Sequence, residues 1–491
     1  MQDFIARPGP GVKRNRLPDA PGGVFTRKGA HAEKNFTSPA APPESAGLKN
    51  MDSKGRNNCT AKEVAEFIAD FATRLMGSGT QTSRVVRNVG RLAESFGCRI
   101  ETIVLPRTII MTLTGPDGVQ HTEVRKVGHH AINFRTLSRL RILTWDAFKK
   151  GLSLGECRAR LRAALGGPEI PGWALAFIAA LGNAAFCRLF GGWLSVPVVF
   201  LGTFLGFSAR RRLSSAGLNP LIVFMLSAFV SSFVAGLGAR IFDFHSDIAL
   251  STSVLFLVPG VPLMNGVIDL IEGHVLAGLS RLVNALALVA AMTFGLLATI
   301  LLLDVNISLG AAAAGVPVSS VWEDGLFAAV AGMGFGAISN PPKRALLAAG
   351  ILAAAGHGLR FWLMRSAGFD ITSATLCGAF LIGAGGLAFG RLSGHPAEIF
   401  SFPALLPMIP GLIGYKAMLS VLAFLRAGEA AAAQEMALNI FSYGFTALAV
   451  LFAIVIGSSL SVFLDTLSTN ISNRKIVEFR RRSRGGGAAG A

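Results

Sequence analysis

The sequence predicts a mainly α-helical membrane protein: ten transmembrane helices as two inverted five-helix repeats, preceded by a small cytoplasmic α/β domain. Of the 491 residues, 52% are hydrophobic and 15% are charged, whereas soluble domains usually carry about 25% charged residues. Only 25 of the 74 charged residues fall within residues 173–465. This distribution excludes a disordered chain or an ordinary soluble enzyme for that stretch, and it divides the protein into a polar N-terminal part and a polytopic membrane part.

Residues 1–58 are rich in Pro and Gly and contain ten Lys or Arg, so we expect a disordered basic extension without a signal peptide. The net charge of +18 is explained by basic residues at cytoplasmic helix ends and does not require nucleic acid as a partner. The five cysteines are scattered and form no CxxC pair. We therefore predict free thiols, with no metal site and no cofactor.

Residues 59–168 are predicted to form the cytoplasmic α/β domain. Thr60 and Glu63 fit a capping box that begins a helix, which Gly77-Ser-Gly79 ends. A second helix stops at Gly97. Three strands follow, and charged helical sequence continues to Leu165; the strands are Arg99–Leu105, Ile109–Leu113 and Val119–Val127, with a turn at Pro116-Asp-Gly118.

Ten runs nearly free of charge follow, and most approach the roughly 20 residues that a span needs. They are Ile170–Cys187, Leu189–Ala209, Leu213–Ala239, Ile248–Ile268, Leu282–Leu303, Gly325–Pro342, Ala345–Leu359, Ile371–Gly390, Ile399–Tyr415 and Met436–Leu464. They predict membrane halves at residues 170–303 and 321–465, and a basic cytoplasmic tail at 466–491. The Lys and Arg asymmetry between alternate connections places both termini in the cytoplasm.

Two short motifs recur at an offset of 151 residues. Ser215-Ala-Gly-Leu218 returns as Ser366-Ala-Gly-Phe369, and Val258-Pro-Gly260 returns as Ile409-Pro-Gly411. The same offset carries the first five spans onto the second five. Because five is odd, the second copy has the opposite orientation, which is the inverted-repeat plan of secondary transporters.

The fourth and ninth spans contain the residues most suited to substrate binding. A proline removes a backbone donor and clashes with the preceding helical turn. Helices broken at equivalent points of two inverted halves expose backbone groups that can hold a charged ligand where they line a cavity. The alternative is a pair of proline kinks that serve packing alone. The substrate-binding candidates in these breaks are Pro259, Gly260, Pro262, Pro407, Pro410 and Gly411.

These motifs resemble the threonine/serine exporter family from about Thr60 to Leu464. The resemblance rests on Arg74-Leu-Met-Gly-Ser-Gly79, on Val258 to Asn265 followed by Asp269 and Arg281, and on second-half motifs that include His357 with Arg360 and the prolines followed by Tyr415. It implies a cytoplasmic N-terminal domain, two five-span halves, and proton-motive-force-driven export of threonine and serine across the bacterial inner membrane. Related two-chain forms are associated with succinate export.

Further polar residues complete the candidate site. Asn265 and Lys416 occupy equivalent repeat positions just past the two breaks, and with Tyr415 they are predicted to bind substrate. Asp269, Arg281 and His357 are candidates for proton coupling or gating. For Asp269 the alternative is a solvated helix end paired with Arg281 or Glu272. For His357 it is a hydrogen-bonded packing histidine.

The sequence thus predicts a proton-coupled exporter of small hydroxy amino acids, with protons and the lipid bilayer as its other partners. A dicarboxylate exporter is the alternative within transport, and monomer and homo-oligomer are both left open. A channel is disfavoured because the spans contain no ring of charges. An enzyme is not predicted. The N-terminal domain contains Cys98 and three histidines, His121, His129 and His130, but their spacing fits neither a catalytic triad nor a metal site.

Overall fold

The computed structural model describes residues 59–105, 107–128, 132–166, 170–244, 247–305, 318, 320–425 and 429–485. The predicted basic extension at residues 1–58 lies outside the described residues, as do His129 and His130.

The N-terminal segment begins with two helices, α1 (Ala61–Gly77) and α2 (Thr82–Ser95). The predicted capping box of α1 is confirmed: the Glu63 N–H donates to the Thr60 hydroxyl at 3.3 Å, and the Glu63 carboxylate accepts the Thr60 N–H at 3.0 Å. The helix ends at Gly77 as expected, since Gly79 adopts a φ of +92° that residues with a Cβ rarely adopt.

Three antiparallel strands follow in the order β1 (Arg99–Leu105), β2 (Thr108–Thr114) and β3 (Gln120–Lys126). They match the predicted strands within about one residue at each end. Ile109, Met111 and Leu113 alternate along β2 and are buried, so one face of the sheet joins the core and packs against α1. The segment closes with α3 (Phe134–Lys150) and α4 (Leu154–Leu165).

Twelve further helices form the rest of the described chain. In chain order they are α5 (Gly172–Arg188), α6 (Ser195–Ser215), α7 (Pro220–Ile241), α8 (Asp247–Ser253), α9 (Gly260–Ile271), α10 (Val275–Leu303), α11 (Val321–Ala337), α12 (Lys343–Ser366), α13 (Ile371–Ser393), α14 (Glu398–Leu405), α15 (Gly411–Phe424) and α16 (Ala430–Gly485). Short 3₁₀ turns, Leu255–Leu257 and Leu406–Met408, extend α8 and α14.

Long apolar helices confirm the prediction of a mainly helical membrane protein. Within the described residues, α7, α10, α12, α13 and residues 430–461 of α16 are long and apolar enough to cross a membrane, and two bent pairs, α8 with α9 and α14 with α15, raise the count to seven. Helix α5 is apolar but shorter. Leu276, Leu286 and Leu302 are exposed along α10, as expected for side chains that contact lipid.

The order of helices repeats at the offset that the motifs predicted. Helices α7, α8 and α9 begin at Pro220, Asp247 and Gly260. Their counterparts α13, α14 and α15 begin 151 residues later in each case, at Ile371, Glu398 and Gly411. The recurrence therefore extends from two short motifs to whole elements.

Small residues let the helices of the two halves approach closely. A Cβ on Gly182 of α5 would lie 2.6 Å from Gly334 Cα of α11, and one on Gly202 of α6 would lie 2.5 Å from the Ser231 carbonyl of α7. Beside this contact, Asn183 donates its amide to the Thr203 hydroxyl at 2.7 Å and to the Thr252 carbonyl at 3.0 Å. Asn183 thus hydrogen-bonds across helices.

We expect Gly182→Ala to destabilise the protein by about 1–3 kcal/mol, because the new methyl group would meet backbone and not a movable side chain. The matched control is Gly444→Ala on α16, where an added Cβ meets nothing within 4 Å. Thermal unfolding in detergent measures both. An unchanged melting temperature for Gly182→Ala would contradict the close approach of α5 and α11.

Candidate functional site: two broken helices and their cavity

The first break separates α8 and its 3₁₀ turn from α9, which diverge by 64°. Pro259 adopts φ −77° and ψ 64°, so the chain leaves the helical region there. The Gly260 N–H donates to the Val258 carbonyl at 2.8 Å, and the helix resumes with the Leu263 N–H bonded to the Pro259 carbonyl at 3.0 Å. Proline dictates this geometry because it has no N–H to continue the ladder.

The second break has the same construction. Pro410 adopts φ −76° and ψ 50°, and α14 and α15 diverge by 46°. The Gly411 N–H donates to the Ile409 carbonyl at 2.7 Å, and the Gly414 N–H donates to the Pro410 carbonyl at 2.9 Å. Each bond is the counterpart, 151 residues later, of one in the first break. The two breaks are therefore copies of one backbone conformation.

The two breaks also lie against each other, as the paired motifs predicted. A Cβ on Gly260 would lie 2.6 Å from Ile409 Cδ1, and a Cβ on Gly411 would lie 3.2 Å from Val258 Cγ2. Each glycine thus sits against the residue that precedes the proline of the other break. A side chain at Gly260 would push the breaks apart.

A cavity of about 550 Å³ is lined by both breaks. The first break supplies Leu255 to Pro262, and the second supplies Leu406, Ile409 and Gly411. Around them lie residues of α5, α7, α10 and α11, including Phe186, Phe224, Asn284 and Phe335. The volume falls within the range of pockets that hold small metabolites.

The charged side chains in the cavity wall are both arginines. Arg210, at the end of α6, and Arg107, in the turn between β1 and β2, line it, and no Asp or Glu is among its described lining residues. The Arg210 guanidinium lies over the Phe224 ring, 4.9 Å from its centroid. Within the described part of the chain Arg210 has no carboxylate partner, so it is a cation free to bind an anionic ligand.

The substrate-binding candidates divide into two groups. Pro259, Gly260, Pro262 and Gly411 line the cavity, whereas Pro407, Pro410, Asn265, Tyr415 and Lys416 are not among its lining residues. Lys416 instead places its ammonium over the Tyr443 ring, 5.6 Å from the centroid. Tyr415 is buried. The backbone of the breaks is therefore closer to the cavity than the polar side chains beyond them.

Asn265, Asp269 and Arg281 contact the N-terminal segment. Asp269 is fully buried; it accepts the Thr82 N–H at 2.8 Å and the Thr82 hydroxyl at 2.9 Å, and Arg281 Nε lies 3.0 Å from it. Asn265 donates to the Gly79 carbonyl at 2.8 Å. For Asp269, the pairing with Arg281 that the alternative expected is confirmed, but the solvated helix end is wrong. The N-terminal segment covers the carboxylate, which caps the start of α2.

The same segment contacts the second half of the chain. Arg84 of α2 forms a bidentate ion pair with Glu398, the first residue of α14. The Phe134 N–H donates to the Ser339 carbonyl at 2.8 Å, and Ser138 hydrogen-bonds His395 at 2.8 Å. The N-terminal segment therefore holds both broken helices at once.

His357 of α12 lies apart from the cavity lining, in a buried pair with Asp324 of α11. Its Nδ1 is 2.6 Å from Asp324 Oδ2, and both side chains are almost completely buried. The sequence indicated that His357 was unusual but did not identify Asp324 as its partner, since the two residues lie 33 positions apart on different helices. The sequence also did not identify Arg107 or Arg210 as residues of the cavity wall.

Taken together, the long apolar helices and the cavity between paired breaks define the class: a membrane transporter with a site for a small solute. Residues 66–303 match the family model described as "Putative threonine/serine exporter", and residues 324–464 match "Threonine/Serine exporter, ThrE". The chain belongs to the threonine/serine exporter family, which confirms the resemblance of its motifs.

Two curated relatives match about half of the chain. The "Probable succinate transporter subunit YjjP" of Klebsiella aerogenes is 30% identical over 238 residues, which cover 48% of this chain and 92% of that protein. The protein of the same name from Escherichia coli K12 is 30% identical over 225 residues, covering 45% and 87%. No solved structure matches the chain.

We expect Asp269→Asn to loosen the N-terminal segment from α9. An amide would turn a donor toward Thr82 or Arg281, both of which donate, and breaking a buried pair costs on the order of 3 kcal/mol. Hydrogen–deuterium exchange of residues 79–84 should accelerate at least tenfold. The control is Asp70→Asn, an exposed partner of Arg74 on α1, where little change is expected. Unchanged exchange in Asp269→Asn would contradict this role.

Proposed function

We propose that this protein is a secondary active exporter of small hydroxy amino acids, threonine and serine first, driven by the proton-motive force. The observation that carries the proposal is the cavity between two copies of one helix break, with arginine as its charged lining. The family descriptions support export and the two amino acids. The proton as coupling ion comes from the resemblance.

The proposed architecture is ten spans in two inverted halves, with α5, α6 and α11 crossing the membrane in addition to the seven spans above. The contacts of the N-terminal segment support the inversion. This segment touches the C-terminal part of α9 through Asp269 but the N-terminal end of α14 through Glu398. If one segment lies on one side of the membrane, the two broken helices must run in opposite directions.

The connections between helices support the same topology. The N-terminal segment also contacts Glu272, Ser339 and His395, which lie at or next to the α9–α10, α11–α12 and α13–α14 connections. Arg107 shares the cavity wall with Asn219 of the α6–α7 connection. These are connections that the Lys and Arg distribution assigns to the cytoplasm, so we infer that the N-terminal segment and both termini are cytoplasmic.

The proposed substrate site pairs Arg210 and the start of α9 with a carboxylate. Helix N-termini favour anions because their first N–H groups have no partner in the helix. The ammonium of an amino acid would then bind backbone carbonyls at the ends of α8 and α14, where each helix stops short of the break. Binding the ammonium in this way needs no buried carboxylate, which agrees with the absence of Asp and Glu from the described cavity lining.

A second candidate substrate is a dicarboxylate such as succinate. Two observations favour it: the cavity presents two arginines, and the curated relatives are named as succinate transporter subunits. Arg107 and Arg210 could each hold one carboxylate. The two candidates share the first contact, a carboxylate on Arg210, and differ at the second. An amino acid would place its ammonium against backbone carbonyls, whereas a dicarboxylate would place its second carboxylate against Arg107.

Alternating access would open this cavity to each side in turn. The Phe186 ring packs edge-on against Phe335 with centroids 5.7 Å apart and against Phe190 at 5.1 Å. Phe186 and Phe335 also line the cavity, so we propose this aromatic cluster as one gate. On the cytoplasmic side, Arg107 and Ile132 of the N-terminal segment lie over the cavity. We propose that movement of this segment, held by Asp269 and Arg281, gates the inner side.

We expect labelled threonine to enter proteoliposomes preloaded with unlabelled threonine, and serine to compete with it. Arg210→Gln should raise the half-saturating threonine concentration at least tenfold, the usual loss for a hydrogen bond to a charged group. Arg212→Gln, an exposed arginine two residues further along α6 and on its opposite face, is the matched control. Exchange that succinate blocks and serine does not affect would reverse the substrate assignment. A wild-type protein that exchanges neither solute would refute both candidates.

Reporter fusions test the topology separately. We expect cytoplasmic signals after Ser214 and Asn473 and an external signal at Val316, a position outside the described residues. The reason is that five spans lie between one cytoplasmic terminus and the middle of the chain. A cytoplasmic signal at Val316 would contradict the division into five and five spans.

A further inference from the structure

A buried histidine–carboxylate pair lies in the second half of the membrane part, well away from the N-terminal segment. The side chains of His357 and Asp324 are 7% and 4% exposed. Their shared contact, between Nδ1 and Oδ2, is 2.6 Å long. Ionisable groups inside a membrane protein are costly and are retained mainly where they have a function.

The contact determines which histidine nitrogen is available. Since an ionised carboxylate only accepts hydrogen bonds, Nδ1 carries a proton and donates it to Asp324. The other ring nitrogen, Nε2, is buried and has no hydrogen-bond partner among the described residues. A buried polar atom without a partner is costly. Nε2 is therefore a free proton acceptor. If it bound a proton, Asp324 would balance the positive charge of the imidazolium.

Other charged groups lie near the pair. Arg360, one turn beyond His357 on α12, lies within electrostatic range of Asp324. On α11, Glu323 pairs with Arg188 of α5. Of the groups on the other helices packed against α11 and α12, Asp370 caps α13, and Glu398 of α14 pairs with Arg84; α13 also carries Cys377 and Arg391. Asp324 is thus the carboxylate that contacts His357.

The first repeat has no equivalent of this pair. Subtracting 151 from 324, 357 and 360 gives Trp173, Gly206 and Ala209. Gly206 instead allows close packing, since a Cβ there would lie 2.6 Å from Ser231 Cβ. The equivalent positions of the first half therefore carry no titratable pair.

The pair lies at the end of α11 that is far from the N-terminal segment. Asp324 is 15 residues before Ser339, whose carbonyl contacts that segment, so the two are roughly 22 Å apart along a helix. In the proposed topology this end faces the outside.

We propose that the Asp324–His357 pair is the coupling-proton site of the transporter, a role that rests on the proposed function. A proton from external water binds His357 Nε2, the imidazole becomes an imidazolium, and Asp324 balances its charge through Nδ1–H. The bound proton changes the charge between α11 and α12, and it is released to the cytoplasm after the protein reorients. Asp269 then has a different task, which is to hold the N-terminal segment.

The experiment separates coupling from substrate binding. His357→Gln keeps an amide donor for Asp324 but has no titratable nitrogen, and Asp324→Asn removes the balancing charge. In each variant the rate of threonine counterflow should stay within about twofold of the wild type. The rate of transport driven by an imposed pH gradient should fall at least tenfold. The accompanying proton flux, followed with a trapped pH indicator, should fall in parallel.

Asp370→Asn is the matched control. This carboxylate is exposed, and hydrogen bonds from the Ser373 side chain and from the backbone of Ser373 and Thr372 hold its pKa below the ordinary value. Asparagine also caps helices well, so coupling should be unchanged. Gradient-driven transport that survives in both His357→Gln and Asp324→Asn would overturn the proposal, while the wild-type counterflow shows independently whether the proposed function holds.

A second measurement needs no substrate. Nitrogen-15 spectra of histidine-labelled protein in vesicles report the protonation of each ring nitrogen, and the His357 signal is identified by its loss in His357→Gln. We expect its Nε2 to gain a proton when the external water is acidified. An Nε2 that does not titrate before the protein unfolds would overturn the proposal even if transport is never observed.

Discussion

The missing N–H groups of Pro259 and Pro410 are the constraint on which the rest of the structure depends. Each proline ends a helix in the middle of an apolar stretch and leaves backbone groups that lipid cannot satisfy. Both breaks have the same hydrogen bonding: a glycine N–H donates to the carbonyl of the residue before the proline, and a new helix starts at that glycine. The breaks must then lie inside the protein, and they lie against each other.

That contact determines what surrounds it. Because the breaks meet, the wall of the cavity is largely apolar side chains and backbone, and Arg107 and Arg210 supply its charge. A transporter built in this way can hold a charged solute with few buried charges of its own. The scarcity of charged residues in the spans, which first indicated a membrane protein, is thus also compatible with its proposed substrate.

The N-terminal segment is joined to the membrane helices by polar contacts and by a shared hydrophobic core, in which Phe134 packs against Phe402. Asp269 accepts two hydrogen bonds from Thr82 and pairs with Arg281, and Glu398 pairs with Arg84. Such contacts are costly to break singly, yet they can be exchanged for water when a whole surface separates. This gives the segment the properties expected of a gate, and it leaves the Asp324–His357 pair as the separate element suited to sensing protons.

The sequence by itself determined the membrane class, the capping box of α1, the three strands, the family and both helix breaks, because each depends on local chemistry: apolar length, cap residues, alternation, or a proline followed by glycine. Tertiary structure decided which side chains meet. For Asp269 the sequence allowed either a coupling or gating carboxylate or a solvated helix end, and the N-terminal segment, almost 190 residues earlier, excludes the solvated end by covering it. Lys416 looked suited to the cavity but lies over Tyr443, and Asp324 joined His357 only when α11 packed on α12. Contacts between distant residues depend on how the helices pack, which spacing along the chain does not specify.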